Sequence, residues 1–421
     1  MEPKIYLSED HRIDTSLIDT NAIFILKRLR DAGHIAYLVG GSVRDLLLGR
    51  SPKDFDISTS ATPEETRHLF HRHAILIGRR FRLAHVRFGH KIYEVSTFRT
   101  GDIENEGLIT RDNEWGTPEQ DVMRRDFTIN GFFYDHENNA VIDYINGWED
   151  IQSRILRTIG TPEKRFKQDP VRMIRLLKFQ ARLGFNVEAE TLQALRNNHH
   201  EILNSSPARI LEEFLRMLES GSSSSFFKLM SEEGFLELLF PAIGRFLKSS
   251  HGKETFKLLT AADHLHLSNV KETLDRSTLV SCLIFPILEY ELVRRYLSQE
   301  QTPGYGEILQ TIHEIIERTV TSSFSHFPKR LIHSISYILL TQYRLTPLND
   351  RRPLTKRIWQ NKECIMALKF LQIRAQAMPH LAEIYDWWEE HYQEESPHGD
   401  RLPHPHAATQ KRKRTRKKII A

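Results

Sequence analysis

Residues 54–56 read Asp-Phe-Asp, and two carboxylates one residue apart have a chemistry of their own. On an extended strand, positions i and i+2 point to the same face, so Asp54 and Asp56 project side by side while Phe55 points into the core. Like charges held that close repel, and a cation between them relieves the repulsion. Mg²⁺ suits the pair, because it takes a few carboxylates and completes its shell with water and phosphate oxygens. Two such ions, one at an attacking hydroxyl and one at a leaving pyrophosphate, make a nucleotidyl-transfer site. The alternative is a solvated strand edge. A third carboxylate, Glu94, lies in KIYEVSTF (91–98), where alternation puts Ile92, Glu94 and Ser96 on one face and Tyr93, Val95 and Thr97 on the other. Such a glutamate is costly to bury unless it is paired or bound to metal. Exposure at the end of an edge strand is the other reading.

Three more clusters accompany these acids. Gly40-Gly41 precedes the helical stretch SVRDLLLG. Glycine lets backbone N–H groups approach a phosphate, and the helix start favours an anion. Arg44, one turn in, adds a charge-assisted contact. The GxxxxGK[ST] pattern is absent, so this is not a P-loop. In MRRDFTINGFFYD (123–135), Arg124, Arg125 and Asp126 stand directly before an apolar segment. That order suits charges facing a cleft above Phe127 and Ile129, or an ordinary surface ion pair. In KQDPVRMIRLLKFQARLGF (167–185), Asp169, Arg172 and Arg175 recur at spacing three. On a helix they share one side. A carboxylate accepting from an exocyclic amine beside a guanidinium donating to a ring nitrogen reads adenine or cytosine, without deciding between them. A solvated helix face is the alternative.

The elements that must hold these groups are legible in outline. Residues 16–32 carry apolar positions at helical spacing and stop at Gly33. HIAYLVG and DFDIST read as strands, TPEETRHLFHR as a helix opened by a capping box, and AILIG, RLAHVRF and KIYEVSTF as further strands. The polar stretch 99–120 reads as a loop. From about residue 162 onward nearly every segment is an amphipathic helix. The predicted fold is therefore an α/β head, a mixed sheet with helices, followed by an all-α neck and body. The expected boundaries are 15–160 for the head, 161–245 for the neck, 246–395 for the body and 396–421 for a disordered tail.

A chain of 421 residues exceeds one ordinary core, and its 27% charged content fits a soluble globular protein. The apolar run LVSCLIFPIL (279–288) is too short to span a bilayer. The N-terminus is polar, so no secretory signal is expected. The two cysteines, Cys282 and Cys364, lack metal-ligand spacing, which favours a reducing cytoplasm. The net charge of +4 resides in the tail: without the seven basic residues of KRKRTRKK (411–418), 52 Lys+Arg face 55 Asp+Glu. Such a run attracts a polyphosphate chain by counterion release.

The segments LVGGSVRDLLLG, KDFDISTSATPEE, EVSTFR, RRDFTING, DPVRMIRLLKFQARLGF and PARILEEFLRML (207–218), in this order over about residues 36–245, resemble the class II nucleotidyltransferase superfamily. That superfamily holds the bacterial poly(A) polymerases and the CCA-adding tRNA nucleotidyltransferases. The resemblance implies that Asp54 and Asp56 bind catalytic Mg²⁺ in a two-metal site. It implies that Gly41 and Arg44 contact the triphosphate, and that Arg125 and Asp126 belong to the active site, Asp126 as a catalytic residue. It further implies that Asp169, Arg172 and Arg175 bind the nucleotide, with Arg209 the last residue carried over. Gln168 departs from the pattern, which has Glu there. LIGRRFRLAHVRFG (76–89), the long 99–120 loop and the basic tail are similar to the poly(A) polymerase branch. The implied reaction is template-independent: an RNA 3′-hydroxyl, on mRNA or another transcript, attacks the α-phosphate of ATP and pyrophosphate leaves. The alternative is CCA addition to tRNA from CTP and ATP.

Overall fold

A computed structural model describes residues 2–78, 83–100, 114–268, 274–324, 327–348 and 363–395. The basic tail, residues 79–82 and residues 101–113 of the expected loop lie outside them.

Local signals in the sequence set many of the elements. Thr62 Oγ1 accepts from the Glu65 N–H at 3.3 Å while the Glu65 carboxylate accepts from the Thr62 N–H at 2.8 Å, so the expected capping box opens its helix. Strands β1 (Lys4–Tyr6), β2 (Ala36–Val39), β3 (Asp56–Thr59), β4 (Ala74–Ile77), β5 (Leu83–Phe88) and β6 (Lys91–Thr97) are joined later by β9 (Phe133–Asp135) and β10 (Ala140–Asp143). Between them, the two-residue pair β7 (Arg99–Thr100) and β8 (Glu114–Trp115) closes the ends of the 101–113 segment. The main sheet runs β1-β10-β9-β2-β3-β6-β5-β4, with β3 and β6 parallel. The short helix α1 (Ser8–His11) precedes α2 (Thr20–Asp31), α3 (Gly41–Leu47) and α4 (Pro63–Phe70). Helix α4 packs on β4, β5 and β6, and α2 on β2 and β3. Their apolar partners in the sheet, Ala84, Val86, Tyr93, Val95 and Ile57, are buried.

Helices α5 (Pro118–Met123) and α6 (Gly147–Ser153) complete the head. Helices α7 (Pro162–Gln168), α8 (Val171–Leu183), α9 (Ala189–Asn198) and α10 (Pro207–Leu218) follow in the predicted helical region, and α11 (Ser223–Glu232) packs on α8. The chain forms two compact units. One is 1–253 with 318–326, and the other is 254–317 with 327–421. The second unit is helical in its described residues, and its core includes Trp388, whose Nε1 donates to the Leu345 carbonyl at 2.9 Å. LVSCLIFPIL is the buried middle of helix Arg276–Arg295, and Cys282 and Cys364 are both buried thiols. No described helix is long and apolar enough to cross a membrane.

Candidate active site

Strand register builds the acidic site. Asp56 opens β3 opposite Val39 of β2 on one side and opposite Glu94 of β6 on the other. Adjacent strands lie about 4.8 Å apart, so Glu94 stands beside Asp56. Asp54 precedes the strand instead of lying in it, with Phe55 buried between two exposed carboxylates. Glu94 is therefore in an interior strand of the sheet, yet half exposed, because the face it shares with Asp56 is open. Asp56 is open to solvent but crowded by protein. That desolvation, then Glu94 and more weakly Asp54, pushes its carboxyl up to about 6 against the pull of Arg125 and Arg216.

A crowded carboxylate pair with a raised affinity for positive charge fits a hard divalent cation held by Asp54 and Asp56. Among the described residues no three His, Cys, Asp or Glu side chains converge at metal-binding geometry. The remaining shell would therefore be water and phosphate oxygens, as Mg²⁺ prefers.

The turn above β2 needs glycine at its first position. Gly40 has φ +66°, and a Cβ there would stand 3.3 Å from Arg125 Nη1. Arg125 Nη2 donates to Ser58 Oγ at 3.3 Å and to Asp121 Oδ2 at 2.9 Å, so the guanidinium lies between the Gly-Gly turn and β3. Gly41 begins α3. Arg44 is only 2% exposed. Its Nε and Nη2 donate to Asp45 Oδ1 and its Nη1 to Asn130 Oδ1 at 2.7 Å, over the Phe179 ring. It braces the turn from inside.

Asp126 is also an interior group. Oδ1 accepts from the Phe127 N–H at 2.8 Å and from Asn130 Nδ2 at 3.0 Å, and Oδ2 pairs with Arg175 Nη2 at 2.8 Å. Burial acts to raise its pKa, but Arg175, Asn130 and the Phe127 amide outweigh it and hold the carboxyl below its ordinary value. As placed, Asp126 positions the RRD segment against α8.

The spacing-three set of the neck is likewise neither a solvated face nor a free reader. Asp169 accepts both terminal nitrogens of Arg209, on α10, at 2.9 and 2.8 Å. Arg172 is buried, with Nη1 on the Arg165 carbonyl at 3.2 Å and Nη2 on the Arg124 carbonyl at 2.9 Å. Arg165, buried on α7, donates to the carbonyls of Met123 and Arg125 at 3.2 and 2.7 Å. It also donates to Gln168 Oε1 at 2.9 Å, so the glutamine at the departing position is a neutral acceptor for an arginine. Lys178 pairs with Glu213, which Arg175 also approaches.

Sequence reading missed Asp45, Asp121, Asn130, Arg165, Glu213 and Arg216. Asp121 was within reach, since it lies four residues before Arg125 on one helical turn. Asp45 was also within reach, as the neighbour of Arg44, whereas Asn130, Arg165 and Glu213 meet partners far away in the chain and Arg216 acts on Asp56 through its charge.

The Poly A polymerase head domain pattern matches residues 36–157, and the pattern described as the probable RNA and SrmB-binding site of polymerase A matches 184–247. The polymerase A arginine-rich C-terminus pattern matches 302–419. Poly(A) polymerase I of Salmonella typhimurium is 34% identical over 399 residues, 91% of this chain and 84% of its own. The CCA-adding enzyme of Staphylococcus aureus is 33% identical over 311 residues, 72% of this chain and 71% of its own. The crystal structure of the Bacillus stearothermophilus CCA-adding enzyme in complex with CTP superposes with a TM-score of 0.60 at 26% identity. The match covers 89% of this chain and 82% of that one. Three successive patterns and a relative alike along nine-tenths of this chain place it in the poly(A) polymerase family of nucleotidyltransferases.

Proposed function

We propose that this chain adds AMP from ATP to RNA 3′ ends without a template, releasing pyrophosphate. The observation that carries the choice of branch is the polymerase A arginine-rich pattern, which runs from residue 302 to residue 419 and so includes the basic tail. The greater extent of the Salmonella match, 399 residues against 311, points the same way.

In this reading Asp54 and Asp56 hold Mg²⁺, which when bound supplies charge stabilisation at the reacting phosphate. The Gly40-Gly41 turn and Arg125 receive the triphosphate, with Arg44 supporting the turn through Asp45 and Asn130. Asp169 accepts from the base amine while the Arg209 fork fixes its plane. Arg172 and Arg175 set the neck helix against the head, through main-chain carbonyls and Asp126 respectively. The protein's share of catalysis is positioning and preorganised charge.

Extension assays with each nucleoside triphosphate alone, on a generic RNA and on a tRNA lacking its 3′ end, test the reading. Long tails from ATP on generic RNA are expected. Short products that require CTP and stop on the tRNA would replace it by CCA addition. The Asp169 carboxylate pattern suits an adenine or a cytosine amine, and the S. aureus relative supports that second reading. Deleting residues 409–421 is expected to weaken RNA binding and flatten its salt dependence, lowering the log–log slope by up to about 5. ATP affinity should stay the same, and an unchanged slope would show that the tail does not touch RNA.

A further inference from the structure

The half of the sheet beyond β3 has one covered face and one open face. Helix α4 packs on the covered side. On the open side the register aligns Asp56 with Glu94, Glu94 with His85, and His85 with Ile75, a row crossing four strands from the acidic pair to the sheet edge. Beside that row stand Ile77, Arg87 and Ile92, with Ile92 directly opposite Arg87. Among the described residues this face is bare: Ile75 is 42% exposed, Ile77 38% and Ile92 47%, and Arg87 is exposed. Three exposed isoleucines on one sheet face form an apolar patch that calls for an occupant. His85 Nε2 stands 3.9 Å from Glu94 Oε2, so the patch continues into the acidic site without a break.

We infer that this open face of β4, β5 and β6 seats the last nucleotides of the acceptor RNA, just upstream of its reacting 3′ end. The inference rests on the proposed transfer to RNA. Topology divides the surroundings of Asp56 into two sides. The β2 side leads to Gly40, Arg125 and the phosphate-binding turn, while the β6 side leads to Glu94, His85 and the isoleucines. An incoming triphosphate takes the first side, so a strand whose 3′-hydroxyl reaches Asp54 and Asp56 has the second. Three strand spacings, about 14 Å, separate Asp56 from Ile75. That accommodates about two to four nucleotides at a single-strand spacing of 3.4 Å or more. Aliphatic side chains give bases and riboses a flat apolar bed, Arg87 supplies a cation and the His85 ring a hydrogen-bonding group for the phosphates, and no base edge is read. This composition accepts any sequence, as a template-free tailing enzyme requires.

The test is photocrosslinking of the full-length protein to an oligoribonucleotide carrying 4-thiouridine two nucleotides from its 3′ end, followed by peptide mapping. Crosslinks within 74–97 are expected, and crosslinks confined to other segments would overturn the assignment. The crosslink needs no turnover. A protein that fails to use ATP therefore sinks the proposed function while the map remains readable. Arg87→Glu and Ile75→Glu, both at exposed positions, are each expected to raise the KM for RNA about tenfold and leave the KM for ATP unchanged. An unchanged KM for RNA, or a loss of self-association with RNA use intact, would assign the face elsewhere.

Discussion

Asp56→Asn is expected to abolish tailing, by at least about a hundredfold, and to make the folded chain more stable at pH 7. The two effects share one cause. Asp56 is crowded by protein, by Glu94 and by Asp54, and its carboxyl is raised from 3.8 to about 6. A raised acid contributes stability below its unfolded value, and that contribution is lost as pH rises through the folded value. At pH 7 the ionised carboxylate therefore strains the fold, and the neutral amide removes the strain together with the proposed metal ligand. Because Asp56 is open to solvent, the gain is modest, a rise in Tm of about 2 °C. Thermal scans should show the variant and the parent converging near pH 4 and separating as pH rises through 6. A variant less stable than the parent at pH 7 would mean that the site is not strained by its own charges. Residual tailing near the parent's rate would remove Asp56 from the reaction.

Asp126→Asn is expected to lose about 2 kcal/mol of stability and to impair tailing through misplacement of the neck. The amide still accepts from the Phe127 N–H but leaves Arg175 without its nearest counter-charge, with Glu213 4.0 Å away. Removing one partner of a buried pair costs about 3–5 kcal/mol. Arg175 is 35% exposed, so water recovers part of that. The wild-type carboxyl is depressed below 3.8, so its contribution is present above that value and lost as pH falls through the folded value. Urea titrations at pH 7 and at pH 3 should show the deficit shrinking at the lower pH. If stability is intact at pH 7 while tailing is lost, Asp126 touches the reacting groups directly and the positioning role is wrong.

The contrast between these two aspartates shows what the sequence alone discloses. Strand alternation in KIYEVSTF and the Thr62–Glu65 box were readable because their signals lie within a few residues, and the observed elements follow them. The placement of Asp54 just outside β3, and of Glu94 beside Asp56, depends on the parallel pairing of two strands 38 positions apart, which no local period encodes. Arg44, Asp126 and Arg172 look like cleft-facing charges in a linear reading. Their burial follows from Asn130, Arg175 and the main chain at Arg124, partners that only tertiary packing supplies. Spacing located the charges of the neck helix, but could not say which of them would be spent on structure.

How they are spent has a consequence for anything anionic that approaches. Around the junction of α7 and α8 lie the guanidiniums of Arg165, Arg172, Arg175 and Arg209, against two carboxylates, Asp126 and Asp169, which are taken by Arg175 and Arg209. Arg165 and Arg172 are held by carbonyl oxygens, which orient a cation and solvate it but cancel none of its charge. Burial, and then Arg172, push Arg165 down to about 9, so it remains charged at neutral pH. The junction thus keeps two more guanidinium charges than carboxylates locked in place at neutral pH. Strongly bonded as they are, these arginines still act at a distance on a negatively charged substrate.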